Sequence, residues 1–312
     1  MLAVAGCGGD RSGGPARVSV ALDFAPNAVH APIFTAVRIG ADRRHGESID
    51  IERPGSQPDS LKAVLAGRAD VGVLDIHDLG LARERGKDVV AIGALVERPL
   101  AALIAQPSVR RPRDLGRRTV GVSGLPSDPA FLRAIVRHDG GDYESIRQVT
   151  IGFNAVSALL TRKVDAVPAF WNAEGVVLRQ RGLRVREFRV EDYGAPPYPE
   201  VVLMTTRRTL ERRRADLARF LAAVGDGARA VLRDPQPAAR QVAAEAGGSV
   251  DLAAAQLRAV RGIVDPSLRL DRDVLKRWAD FDAQIGILPQ RPDVLRAFAF
   301  GLAPRPASDS GQ

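Results

Sequence analysis

An alternation of short β-branched runs with segments of helical spacing constrains this chain more than any other feature of its sequence. RVSVALDF (17–24) reads as a buried strand, and APIFTAVRIGADRR (31–44) as the helix that follows it. IDIERP (49–54), VGVLD (71–75) and DVVAIGALV (88–96) repeat the strand signal. Between them lie two helical segments: PDSLKAVLAGRAD, entered through Asp59 or Ser60 and closed at Gly67, and LGLARERG, closed at Gly86. Strand, helix and strand at this pace predict a parallel sheet with helices on both faces. The pattern restarts at RTVGVSG (118–124) and runs through DPAFLRAIVRHDGG, IRQVTIG, NAVSALLTRK with Asn154 as its cap, VDAVPAF and WNAEGVVLRQRG. After APPYPEVVLMTT (195–206) the alternation stops, and the remainder reads as nearly all helical. The expected fold class is α/β: two units, each with a parallel-rich sheet, and a helical C-terminal part. Residues 304–312, PRPASDSGQ, read as a solvated tail.

A chain of 312 residues with 45% hydrophobic content has room for two cores. Its net charge of +8 invites a nucleic-acid reading, but only four of the 45 basic residues are Lys, and the arginines are scattered, often beside acids. With 5% aromatic residues there is no base-stacking platform, so no nucleic-acid partner is expected. A single cysteine excludes a disulfide framework within the chain, and no close pair of Cys or His suggests a metal clamp. No run of 18 apolar residues predicts a membrane span. LAVAG before Cys7 and the Gly-rich GGDRSGG after it are similar to a bacterial lipobox, in which the thiol carries lipid. Six residues precede Cys7, short of a full leader, so a late-called start or a trimmed signal is expected.

Parallel-sheet units bind ligands at the carboxyl ends of their strands. That rule gathers Asn27 and His30 after the first strand, Asp75 and His77 after the third, and Ser123, Gly124 and Ser127 in SGLPSD, where donors would face a helix start. Phe170 ends VDAVPAF, Trp171 and Glu174 follow it, and Asn154 and Tyr198 complete the candidate ligand residues. Each group also has a structural role open to it: His30 bridging the first helix, Asp75 capping the next, Trp171 packing a boundary, Glu174 favoured by a helix dipole. SGLPSD has no following Gly-Lys-Ser and is not a nucleotide loop.

LDFAPNAVHAPIFTA, AGRADVGVLDIHDLGLARERG, VGVSGLPSD and AFWNAEGVVL with YPEVVLMTT resemble, in order, the ThiY-like and SsuA-like ABC-transporter substrate-binding proteins, over about residues 17 to 300. The resemblance implies a two-lobed periplasmic-binding-protein clamshell of type II. Residues 17–102 plus 200–303 would form lobe I and 103–199 lobe II, with 1–16 as lipobox remnant and linker and a hinge near PLAALIA and PPYPEVVL. Asn27 and His30 match the family's PN..H loop, and Trp171, Asn172, Glu174 and Gly175 its WN.EG segment, where the glutamate can accept from an aminopyrimidine stacked on Trp171 or Phe170. The implied protein is an extracytoplasmic lipoprotein, anchored at a Gram-positive cell membrane through Cys7. It would hand a thiamine pyrimidine precursor, of hydroxymethylpyrimidine or formylaminopyrimidine type, to ABC permease and ATPase subunits, as a monomer with no cofactor. Binding of riboflavin, or of a sulfonate or nitrate anion, is the alternative in the same fold. The similar pyridoxal-phosphate pyrimidine synthases place their lysine where this chain has Leu74 and a histidine where it has Asp78, and no cysteine cluster exists here, so no enzyme is expected.

Overall fold

The computed structural model describes residues 15–53, 60–124 and 127–303; Cys7, Asp59 and the 304–312 tail lie outside them. The first unit runs β1 (Ala16–Ala21), α1 (Ala31–Arg38), α2 (Ala41–Arg44), β2 (Glu47–Glu52), α3 (Ser60–Leu65), β3 (Val71–Asp75), α4 (Ile76–Glu84) and β4 (Val89–Ala94). The single helix expected over 31–44 is two, because Gly40 between them takes φ +67°, a conformation open to glycine and strained for other residues. The helix after β3 starts at Ile76, earlier than LGLARERG suggested, since Asp75 Oδ1 accepts from His77 N at 2.7 Å and caps it there.

The second unit runs β5 (Ala101–Ala105), β6 (Thr119–Val122), α5 (Asp128–His138), β7 (Arg147–Thr150), α6 (Ala155–Leu160), β8 (Ala166–Phe170), α7 (Glu174–Gln180) and β9 (Arg186–Arg189). β10 (Val201–Thr206) returns the chain to the first sheet, and α8 (Arg207–Arg212), α9 (Arg214–Arg233), α10 (Pro235–Ala246), α11 (Val250–Val260), α12 (Arg272–Ile285) and α13 (Val294–Ala297) follow. Among the described residues no helix is long and apolar enough to cross a membrane.

The strands form two five-stranded sheets, ordered β2-β1-β3-β10-β4 and β7-β6-β8-β5-β9. β1 pairs in parallel with β2 and β3, and β6 with β7 and β8. β10 is antiparallel to β3 and β4, and β5 to β8 and β9. The sheets are therefore mixed but parallel-rich, as expected: in each, four strands run one way and one the other. The reason is topological: the segments expected to be crossings are themselves strands, and each enters its sheet against the local direction. The result is a two-lobed α/β clamshell.

Helix packing completes the first lobe. Leu217, Phe220, Leu221, Val224, Ala228 and Val231 recur at helical spacing along α9 and are buried. α9 lies so close to α1 that a Cβ on Gly227 would sit 2.0 Å from the Pro32 carbonyl oxygen. α12 is capped by Asp271, which accepts from Asp273 N and Val274 N, and buries Leu275, Trp278 and Phe281. Two contacts join the C-terminal helices to the second unit: α11 on α7 and α12 on α5.

Candidate functional site

The carboxyl ends of the parallel strands from both sheets converge on one cleft of about 400 Å³. β1 leads into Asp23 and Phe24, and β3 into Asp75, with His77 and Asp78 on α4 just beyond. From the other sheet, β6 leads into Ser123, β7 into Ile151 and Phe153, and β8 into Phe170 and Glu174. Phe24 and Phe153 meet edge to face across the mouth, their ring centroids 4.9 Å apart. Of the candidate residues, Asp75, His77, Ser123, Phe170 and Glu174 line the cleft, as does Ser127.

His77 anchors the floor. Its Nδ1 is 2.8 Å from Asp282 Oδ2 on α12, and its Nε2 is 3.0 Å from the Tyr198 hydroxyl and 3.8 Å from Glu200 Oε1. Burial opposes a charge on this imidazole, but the field and hydrogen bond of Asp282, with the fields of Asp75 and Glu200, outweigh it and raise its pKa to about 10. The neighbouring acids are also shifted upward from their usual range. Burial, then the Glu200 charge, lifts Asp75 well above it; burial, partly opposed by the His77 charge, lifts Asp78 to about 6, with Asp128 and Asp23 adding to the rise. Burial raises Glu174 as well.

Glu200 ties the two crossings together. Its Oε2 accepts from Leu100 N at 2.7 Å and Ala101 N at 3.1 Å, at the entry to β5, while the residue itself stands just ahead of β10. Its Oε1 is buried and, among the described residues, has no hydrogen-bond partner, and Glu200 lines the cleft. Asp75, His77 and Glu200 bring one possible metal-ligand atom each within 4.8 Å of one another. A metal needs a neutral imidazole with a free nitrogen, whereas both nitrogens of His77 are engaged and its raised pKa keeps it protonated. The group is a poor fit for a cation.

The remaining candidates stand elsewhere. Asn27 caps a 3-10 turn over Ala28–His30, its Oδ1 accepting from Val29 N at 2.9 Å. His30 is buried; its Nδ1 accepts from Asn27 N, which leaves Nε2 to donate to Asp23 Oδ1 at 2.9 Å. The pair thus orients a lining carboxylate and does not itself line the cleft. Trp171 is 5% exposed; its Nε1 donates to Pro99 O at 3.1 Å and the Arg189 guanidinium covers its ring at 4.1 Å, so its face is already taken and stacking a ligand there is corrected to packing at the crossing. Tyr198, fully buried behind His77, supports that ring from outside the lining. Asn154 does not cap α6 with its side chain, which instead donates to Ile151 O at 3.0 Å.

Gly124 N and Ser123 Oγ do act as donors, but to Asp128, whose Oδ2 accepts from them at 3.0 and 2.7 Å. The chain's own carboxylate takes donors that the SGLPSD loop was expected to offer near a helix start. Sequence reasoning passed over Glu200, Asp128 and the Phe24–Phe153 pair as site residues. The glutamate stands in plain view in YPEVVLMTT, an acid directly before an apolar strand.

The model of the family described as NMT1/THI5 like matches residues 27–238. A formylaminopyrimidine-binding protein of Halalkalibacterium halodurans is 31% identical over 224 residues, covering 71% of this chain and 68% of that protein. A 4-amino-5-hydroxymethyl-2-methylpyrimidine phosphate synthase of Legionella pneumophila is 28% identical over 52% of each chain. Among solved structures, the periplasmic aliphatic sulphonate binding protein SsuA of Escherichia coli superposes with a TM-score of 0.73 over 96% of this chain and 95% of its own, at 17% identity, a likeness of fold.

Proposed function

The chain belongs to the NMT1/THI5-like family, and from that premise we propose that it is the extracytoplasmic substrate-binding component of an ABC importer for a thiamine pyrimidine precursor. The observation that carries this reading is the acidity of the cleft in a chain of net charge +8: Asp23, Asp75, Asp78, Asp128, Glu174 and Glu200 all line it. An aminopyrimidine sets an amino donor beside a ring-nitrogen acceptor. A carboxylate matches the donor, and an acid that holds its proton matches both. Burial raises the pKa of Asp75, Asp78 and Glu174, which shifts each toward the form that holds its proton. Flat apolar surface comes from Phe24, Phe131, Phe153 and Phe170.

The same acidity argues against a sulfonate or nitrate, because Asp128 already takes the donors that an anion needs. A synthase is disfavoured by Leu74, which lines the cleft where a Schiff-base lysine would stand. In this reading residues 17–102 plus 200–303 form one jaw and 103–199 the other. Ligand draws the jaws together about β5 and β10, and a permease and its ATPase recognise the closed form. We carry the lipobox-like LAVAGC into the reading: the monomer is held at the membrane through lipid on Cys7. Cys7→Ser in the precursor then shifts the protein from the membrane to the soluble fraction, and undiminished membrane retention removes the anchor.

A thermal-shift screen tests the ligand class. At 100 times its dissociation constant a ligand adds about 2.7 kcal/mol, which moves a melting point by several degrees. Stabilisation by hydroxymethylpyrimidine or formylaminopyrimidine supports the reading. Stabilisation by riboflavin, taurine, nitrate or pyridoxal phosphate in their place overturns it.

A further inference from the structure

We propose that Asp282 of α12 is a positioning residue for the ligand: it holds His77 so that Nε2 presents its hydrogen toward the Glu200 oxygen that meets the ligand. This deepens the aminopyrimidine reading and rests on it. Asp282 is fully buried and does not line the cleft. Among the described residues its carboxylate makes no hydrogen bond except to His77 Nδ1, at 2.8 Å. The carboxylates that serve the fold bind backbone donors: Asp70 takes Ser19 N, and Asp271 takes Asp273 N. A buried carboxylate is costly unless it is paired, and here the whole pairing falls on one imidazole of the cleft floor.

From His77 the contacts run on into the cleft. Nε2 is 3.0 Å from the Tyr198 hydroxyl and 3.8 Å from Glu200 Oε1, the oxygen that has no hydrogen-bond partner among the described residues. The other Glu200 oxygen is fixed by Leu100 N and Ala101 N, so the imidazole faces the oxygen left for the ligand. The charged and titratable groups around this ring are Asp75 at the end of β3, Asp78 on α4, Tyr198 and Glu200 ahead of β10, and Asp282. Burial opposes the imidazolium, and Asp282 contributes most to restoring it. An imidazolium offers N–H at both nitrogens. A neutral ring that keeps its hydrogen at Nδ1 for residue 282 turns a lone pair toward Tyr198 and Glu200, and that lone pair repels the Glu200 acceptor. Trp278, one turn earlier on α12, packs beside the ring with Nε1 3.4 Å from Nδ1, so this helix fixes the ring's place as well as its charge.

Isothermal titration of the full chain with 4-amino-5-hydroxymethyl-2-methylpyrimidine, from about pH 6 to about pH 9, tests the role in the wild type and in Asp282→Asn. The amide keeps an oxygen for Nδ1–H and removes the charge. The variant is expected to bind at least about fivefold more weakly than wild type at the alkaline end, with the gap narrowing toward the acid end as His77 regains its proton. A gap that is absent, or constant in pH, overturns the role, since packing alone then accounts for Asp282. Imidazole nitrogen resonances of the wild type give a second readout that needs no variant to fold. Both His77 nitrogens are expected to stay protonated at about pH 8, and ligand is expected to move the Nε2 resonance. A neutral His77 at that pH, or an Nε2 that does not respond to bound ligand, overturns the role while leaving the pyrimidine reading in place. Failure of the folded wild type to bind the pyrimidine overturns that reading, and this role with it.

Discussion

Glu200 is fully buried, and among the described residues only one of its two carboxylate oxygens has a hydrogen-bond partner, the other lying 3.8 Å from His77 Nε2. A buried acceptor without a donor costs about 1–3 kcal/mol, a cost that an amine reaching the floor of the cleft would relieve. Glu200→Gln keeps a carbonyl oxygen for Leu100 N and Ala101 N but sets an amide donor toward the ligand's own donor. It is expected to weaken aminopyrimidine binding by about 1–3 kcal/mol, roughly five- to 150-fold in Kd, with little change in melting temperature. Equal affinities by titration calorimetry would place the ligand out of reach of this side chain. Asp75, Glu174 and Phe170 were legible in the sequence because strand ends can be read locally and a parallel sheet directs them to one place. Glu200 was not, because its meaning comes from two amides a hundred positions away that hold one oxygen and leave the other. Trp171 misled for a related reason: an indole beside a strand end looks like a stacking face until Arg189, brought by β9, covers it.

At the scale of elements, Asp70 joins β1, β3 and the start of α9. Its carboxylate accepts from Ser19 N at 3.0 Å and Ser19 Oγ at 3.1 Å, and Arg213 Nη1 lies 2.6 Å away. Burial pushes its pKa up, but these bonds and the Arg213 charge together hold it below the usual 3.8. Because the folded-state pKa is depressed, the stabilisation is fully present above the unfolded value and is lost as pH falls through the folded one. Asp70→Asn is therefore expected to lower stability at pH 7 by about 1–3 kcal/mol, with the gap from wild type narrowing below about pH 4 in denaturant titrations. A gap constant in pH would deny the charge any part. Gly227→Ala tests the tightest helix contact: its new methyl would meet backbone atoms of Pro32 and Ala36, which cannot rotate away, so a loss of about 3 kcal/mol or more is expected. A variant as stable as wild type would show that α9 shifts from α1 at little cost. β1, β2, β3, β4, β6, β7 and β8 were readable as β-branched runs between turn residues. β5 was taken for a bare crossing, since AALIA is too short and too Ala-rich to declare its period, and REFR of β9 is too polar to read as a strand at all. The reversed direction of β5 and β10 has no local signal; it follows from the chain crossing between lobes.

For the whole molecule, the places where the two lobes meet include the crossings stapled by Glu200, the seams of α11 on α7 and α12 on α5, and the Phe24–Phe153 pair over the cleft. In the proposed reading the crossings, which are paired into both sheets, are where the chain bends. The Phe24–Phe153 pair joins the two lobes over the cleft, so in the proposed reading it parts when the jaws open. Phe153 is 40% exposed, so removing its ring leaves the cores of both lobes intact. An edge-to-face aromatic pair contributes about 0.5–1.5 kcal/mol beyond burial, and this amount is spent on the closed form alone. Phe153→Ala is therefore expected to raise the ligand's dissociation rate about two- to tenfold in stopped-flow displacement, with an unchanged melting temperature for the free protein. A larger effect on association than on dissociation would assign Phe153 to the open state. An equal loss of stability in the free protein would make it a packing residue and leave the mouth of the cleft without a latch.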